Sequence, residues 1–280
     1  MTDPDPIAEI AESLAERHEN YRKTVLDTQP FKDALRYLDG IGQDFLQAQT
    51  AVRLMASRDP DSSNYLLLRF APHLAESVLA TTMCARQGLQ NAARRELRFL
   101  LEAAVKLSTR DFHPDAPTLE DRLAGLNDRD KRFDEYVAEL QYDPEFEKPA
   151  DANSSILSLY SELSKFVHAT EPQFTASLIR NRRGEDAGME SVATLNRFNK
   201  LAFQVYDLVL VRVFYSIGTS MSGDIFVQML DDQPKWRFHK GKFVSRLSRC
   251  FDYKHERKIR REAEAARSSG VLAPGSSHVL

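Results

Sequence analysis

LAFQVYDLVLVRVFYSI, residues 201–217, is the most apolar stretch of the chain, and its reading decides the fold. It is shorter than the roughly 20 residues a helix needs to cross a bilayer, and Asp207 and Arg212 interrupt it. Such a run reads as a buried core helix, so no membrane crossing is expected. The helical pattern extends over about 190–218, with Gly218 and Gly223 ending the helical core. The rest of the chain agrees with a helical reading. Hydrophobic residues at 42% and charged residues at 28% belong to a folded globular chain. With 11 glycines and 12 prolines in 280 residues, the turn-dense pattern of a sandwich or barrel is missing. The expected fold class is all-α.

Upstream, residues 7–27 carry Ile7, Ile10 and Leu14 on one side of an amphipathic or partly exposed helix. Pro30 separates this from a second helix at about 31–57, punctuated by Gly40 and Gly42. Asp59-Pro60-Asp61-Ser62-Ser63 reads as a turn and N-cap. A long helix is predicted from Asn64 to Gln87, and another, after Gly88, over 89–109. Short helices are expected at 118–126 and 128–140. Pro144 and Pro149 make 142–155 a loop, with Ser154 or Ser155 capping the helix that follows. RNRRGEDAG, 180–188, is a charged loop. These signals divide the chain into N-terminal helices (1–58), a helical bundle (59–222), a basic extension (223–267) and a disordered tail (268–280).

The net charge of −3 conceals an asymmetry. Residues 235–267 hold 12 basic and 4 acidic side chains, a local +8, which leaves −11 on residues 1–234. Lys235, Trp236, Arg237, Lys240, Lys242, Arg246 and Arg249 place positive charge beside Trp236, Phe238, Phe243 and Tyr253. Phosphate neutralisation combined with ring stacking suits RNA or another single-stranded nucleic acid. The bland alternatives are a solvated basic helix over 243–267 and a contact with the acidic part of the same chain. A strand or hairpin is expected around His239-Lys240-Gly241-Lys242.

Other chemistries leave little trace. HExxH, Walker A, GxGxxG and GxSxG patterns are lacking, and Glu9, Glu12 and Glu16 have no ExxH companion, so neither cofactor nor metal is expected. Cys84 and Cys250 are far apart with no CxxC spacing, which fits a reducing cytoplasm. The start, MTDPDPIAEI, lacks the pattern of a signal peptide.

Two helical stretches carry a resemblance. GLQNAARRELRFLLEAAVKL, 88–107, is a glycine-led helix holding Arg98, Leu101 and Glu102, and YSELSKFVHAT, 160–170, follows some sixty residues later. This "RxxLE" and "YxxLSxxVH" pair over about 60–215 resembles uncharacterised prokaryotic proteins related to the HEPN superfamily. The resemblance implies a HEPN-like helical bundle, often dimeric, either a metal-independent ribonuclease or a non-catalytic module, plausibly in antiviral defence or stress. The superfamily's Arg-x4–6-His signature is not present at His168, where Ser161, Glu162 and Leu163 stand in the arginine's place; Arg249 and His255 match it literally, in the basic tail.

On a helical wheel, Ile156, Leu159, Leu163, Phe166 and Val167 form an apolar stripe with Ser161, Ser164 and His168 along its edge. His168 is then either a helix anchor against Arg98 or Glu102, or a cleft residue titrating near neutral pH. Arg98 and Glu102, four apart, can pair on one face. If Arg98, Glu102, Tyr160 and His168 converge, they form the candidate site, with His168 the acid/base group of the ribonuclease reading. The expected function is a nucleic-acid-associated, non-enzymatic module; the alternatives are the ribonuclease and a scaffold docking an acidic protein partner through the tail.

Overall fold

The structure, a computed structural model, describes residues 6–58, 62, 64–127, 131–167, 171–182, 188–231, 233–251 and 253. In chain order the α-helices are α1 Pro6–Tyr21, α2 Gln29–Ala56, α3 Leu66–Arg69, α4 Ala71–Arg86, α5 Gln90–Asp111, α6 Leu119–Ala124, α7 Phe133–Ala138, α8 Pro149–Ser164, α9 Glu171–Arg182, α10 Val192–Tyr215, α11 Gly218–Ile225 and α12 Val244–Leu247. Among the described residues there is no strand, and the chain is all-α. No single helix there is long and apolar enough to cross a membrane.

Four long helices close a ring in which α2 packs on α4, α4 on α5, α5 on α10 and α10 back on α2. α8 lies over α5 and α10, and α7 leans on α5 and α8. The apolar run that opened the sequence is the axis of this bundle: every residue from 205 to 214 is buried, Asp207 and Arg212 included. Leu38, Phe45, Leu97, Leu100 and Phe198 are sealed around it. Burying each such side chain contributes about 1.5–3 kcal/mol, so the ring is held chiefly by apolar area. Ser191 opens α10 by accepting the N–H of Thr194 at 3.2 Å. Gly218, at φ +77°, makes the left-handed turn that separates α10 from α11.

Several expectations need correction. The helix predicted over 64–87 is two, because Pro72 sits in the first turn of α4, where its missing N–H is harmless. Pro149 likewise starts α8 instead of barring it, so that helix begins ahead of Ser154 and Ser155. Gly223 lies inside α11, with Phe251 and Tyr253 packed close above it. Residues 237–240 form a 3-10 turn in place of the hairpin, and the basic helix expected over 243–267 is the short α12 followed by a 3-10 turn at Ser248–Cys250, the rest, apart from Phe251 and Tyr253, lying outside the described residues. The turn at 59–63, apart from Ser62, and the tail 268–280 lie outside them too. One hydrophobic cluster runs from Phe31 to Phe251, across the boundaries drawn at 58 and 222.

Candidate functional site

α5 and α8 meet side by side, and three of the four expected site residues converge on their seam. The Arg98 guanidinium donates to the Tyr160 hydroxyl at 2.7 Å and lies 4.7 Å from the centre of its ring. Glu102 stands 3.5 Å from the same guanidinium and 2.7 Å from the Lys106 ammonium. The reverse face of the Tyr160 environment is closed by Phe133, stacked on it at 3.8 Å. His168 lies outside the described residues. What precedes it is fixed: Arg95 donates to the Phe166 carbonyl at 2.9 Å, and Arg94 sits 4.3 Å over the Phe166 ring.

These contacts belong to a longer pattern. Every fourth residue of α5 from Arg94 to Arg110 is charged: Arg94, Arg98, Glu102, Lys106, Arg110. Four residues advance a helix by roughly 6 Å and 40° past one turn, so these side chains form a slowly drifting ridge. Aromatic rings back it. Phe166 and Tyr160 from the α8 side serve Arg94 and Arg98, while Tyr136 of α7 lies 5.6 Å from both Lys106 and Arg110 and 4.7 Å from Lys131. The four cations are half-buried, so their charges are fixed by rings while their outer edges face water. The spacing of four was readable in the sequence beyond the Arg98–Glu102 pair; the rings beneath it were not, because they come from other segments.

The basic extension is built differently. Its residues 235–251 form a strap folded back onto the bundle. Trp236 is 2% exposed, meets Phe226 and Phe214 edge-on, and donates its indole N–H to the Asp44 carbonyl at 3.0 Å. Phe238 and Phe243 are buried as well, and the Tyr253 hydroxyl donates to Asp231 at 3.1 Å. Stacking of bases on Trp236, Phe238 or Phe243 is therefore excluded in this fold; the rings are core anchors. The cations are largely engaged: Arg237 with Asp44 at 2.9 Å, Lys242 and Arg246 with Asp151 at 3.0 and 2.8 Å, and Arg249 with Glu147 at 2.9 Å. Lys242 and then Arg246 hold the Asp151 carboxyl below its usual range. Lys235 and Lys240 are exposed and make no ion pair among the described residues.

Two buried carboxylates whose role the sequence does not show hold short helices in place. Asp207 accepts the N–H groups of Phe243 (2.8 Å) and Val244 (3.0 Å) at the start of α12. Asp111 accepts those of Leu66 (2.6 Å) and Leu67 (2.9 Å) at the start of α3. Burial pushes each carboxyl up to about 6, against the pull of the N–H donors. Gly241 makes the Asp207 arrangement possible, since a Cβ there would come 2.1 Å from the carboxylate oxygen. Arg212, the other charge in the apolar run, donates to Ser108 Oγ (2.8 and 2.6 Å) and to the Gln141 carbonyl (2.9 Å), between the rings of Tyr142 and Tyr215. It joins α10 to α5 and to the segment before α8. Among the described residues no cluster of histidine, cysteine and carboxylate side chains could hold a metal ion.

Comparison with protein-family models, with curated proteins and with solved structures gives no match to this chain, so the function has to be argued from the seam itself.

Proposed function

We propose that this protein is a non-enzymatic, HEPN-like helical module that holds single-stranded nucleic acid, RNA in particular, along the α5–α8 seam in a reducing compartment such as the cytoplasm. The observation that carries the reading is the ridge of Arg94, Arg98, Lys106 and Arg110, flanked by Arg95, with Glu102 its only carboxylate position and aromatic rings beneath it. From Arg94 to Arg110 the ridge spans roughly 24 Å of helix axis, enough for several successive phosphates. Cations held against rings lose less freedom on meeting phosphate than free lysines do, and Arg offers a planar fork of donors. Support for the non-enzymatic part is local. Glu102 lies between two cations and the Tyr160 hydroxyl accepts from Arg98, so neither is placed to take up a substrate proton. Both cysteines are free, as a reducing compartment requires.

The test is fluorescence anisotropy of a labelled single-stranded RNA over a range of salt. Removing three phosphate contacts with Arg94→Ala, Arg95→Ala and Lys106→Ala together lowers the slope of log affinity against log salt by about 2. If that variant binds as the parent does, while serine at Lys254, Arg257, Lys258, Arg260 and Arg261 abolishes binding, the seam is not the nucleic-acid site.

A further inference from the structure

On the side of α8 away from the seam, a cleft of about 400 Å³ opens between α8, α10 and the strap. That volume lies in the range of small-molecule sites. Its floor is apolar and aromatic: Phe203, half-buried, is stacked flat on Phe238 at 4.9 Å with 2° between the ring planes, and Phe243 lies beside it. Three ammonium groups line the walls, Lys200 from α10 and Lys240 and Lys242 from the strap. Lys242 is bound to Asp151, but Lys200 and Lys240 are exposed and pair with no carboxylate among the described residues. The hydroxyls of Ser155 and Ser158 on α8 also face this cleft and make no hydrogen bond among those residues.

Two carboxylates share the lining, and they differ. Asp207 has both oxygens committed to the strap's backbone N–H groups. Glu162 is exposed on the α8 wall and unpaired among the described residues. An unengaged acceptor opposite unengaged cations suits a ligand with hydroxyl donors at one point and an anion at another. The strap fixes the spacing, because Lys240 and Lys242 flank Gly241, the residue pressed against Asp207.

We infer that this cleft binds a nucleoside monophosphate: its phosphate between Lys200, Lys240 and the two serine hydroxyls, its flat base over the half-buried Phe203 ring, and its sugar hydroxyls toward Glu162. Such a ligand comes either as a free nucleotide or as the phosphorylated end of an RNA strand. This site is separate from the α5 ridge and stands or falls independently of it.

Isothermal titration of the full chain with AMP, adenosine and inorganic phosphate tests the assignment. AMP binds, and adenosine and phosphate each bind at least about tenfold more weakly, since each lacks one half of the recognised chemistry. The double variant Lys200→Ala/Lys240→Ala, altering only exposed side chains, loses at least about tenfold in AMP affinity and leaves the adenosine signal unchanged. Glu162→Gln weakens AMP more than 2′,3′-dideoxy-AMP. A 5′-phosphorylated trinucleotide that displaces AMP identifies the strand end as the source; one that does not identifies the free nucleotide, and both results uphold the cleft. Absence of AMP binding to the parent at millimolar concentration, or equal AMP binding by parent and double variant, overturns it.

Discussion

The strap and the α5 ridge are both rich in arginine, lysine and aromatic rings, yet they put those residues to opposite uses. In the strap the rings point inward, with Trp236, Phe238, Phe243 and Phe251 sealed in the core, and four of the cations lie on bundle carboxylates. In the ridge the rings lie beneath the cations at the surface of a helix seam, where Glu102 meets Arg98 and Lys106. Composition alone makes the strap the better candidate for nucleic acid; placement makes it the ridge. The difference follows from connectivity. The strap comes after the last core helix and completes the bundle, while α5 is already held on its other sides by α4 and α10 and can leave one ridge facing water.

The largest effect that tests this contrast is loss of a strap anchor. Trp236→Ala opens a cavity between Phe214, Phe226 and Phe238 and leaves the Asp44 carbonyl without its donor, at a cost of about 3–5 kcal/mol read as a fall in the urea midpoint. RNA affinity measured below the new midpoint stays close to that of the parent. A Trp236→Ala protein as stable as the parent, but unable to bind RNA, would make the strap a binding arm and dissolve the comparison.

The strap's polar anchor gives the next effect, and its sign is unusual. With Asp207 near 6 in the fold and near 3.8 in the unfolded chain, the native state takes up a proton first as pH falls. The stabilisation is fully present below about 3.8 and is lost as pH rises through about 6, so this group makes the protein more stable on mild acidification. Asp111 acts in the same direction at α3. Asp151, held low by Lys242 and Arg246, acts in the opposite direction, so the total curve mixes both. Asp207→Asn isolates what this carboxyl contributes. The difference in unfolding free energy between parent and variant rises by on the order of 1–3 kcal/mol between pH 7 and pH 4. A parent-minus-variant difference that is flat across that interval would show that the carboxyl is not raised by burial.

How far these features were legible varies with how local their causes are. The all-α class followed from residues 201–217 and the scarcity of glycine and proline, because both depend on the chain near at hand. The pairing of Arg98 with Glu102 was reachable from their spacing of four on one helix, whereas their meeting with Tyr160, 62 residues from Arg98, was only a condition the sequence could pose. Asp207 read only as an interruption and Asp111 carried no signal at all, because the N–H groups they cap lie 36 and about 45 residues away, beyond any helical period. Trp236 and its neighbours misled for a related reason. A ring beside lysines looks the same in sequence whether it stacks on a base or on Phe226. Pro149 was read as a helix breaker and Pro72 was passed over inside one continuous helix, though a first-turn proline begins a helix as readily as another ends one.

The smallest effect is the most specific to the strap's charges. Arg249 and Glu147 meet at 2.9 Å, but their side chains are 58% and 55% exposed. Water screens such a pair and holding two long side chains together costs entropy, so Arg249→Ala lowers stability by about 0.2–1 kcal/mol, and less at high salt. The same reasoning covers Lys242 on Asp151, where both side chains are more than a third exposed. Molar salt therefore leaves the strap docked, as trypsin resistance of the native protein around Lys240 and Lys242 will report, whereas Trp236→Ala admits cleavage there even at low salt. If Arg249→Ala instead loosened the strap as far as Trp236→Ala does, charge and not apolar burial would hold it, and the strap's cations would then be competed away by any polyanion.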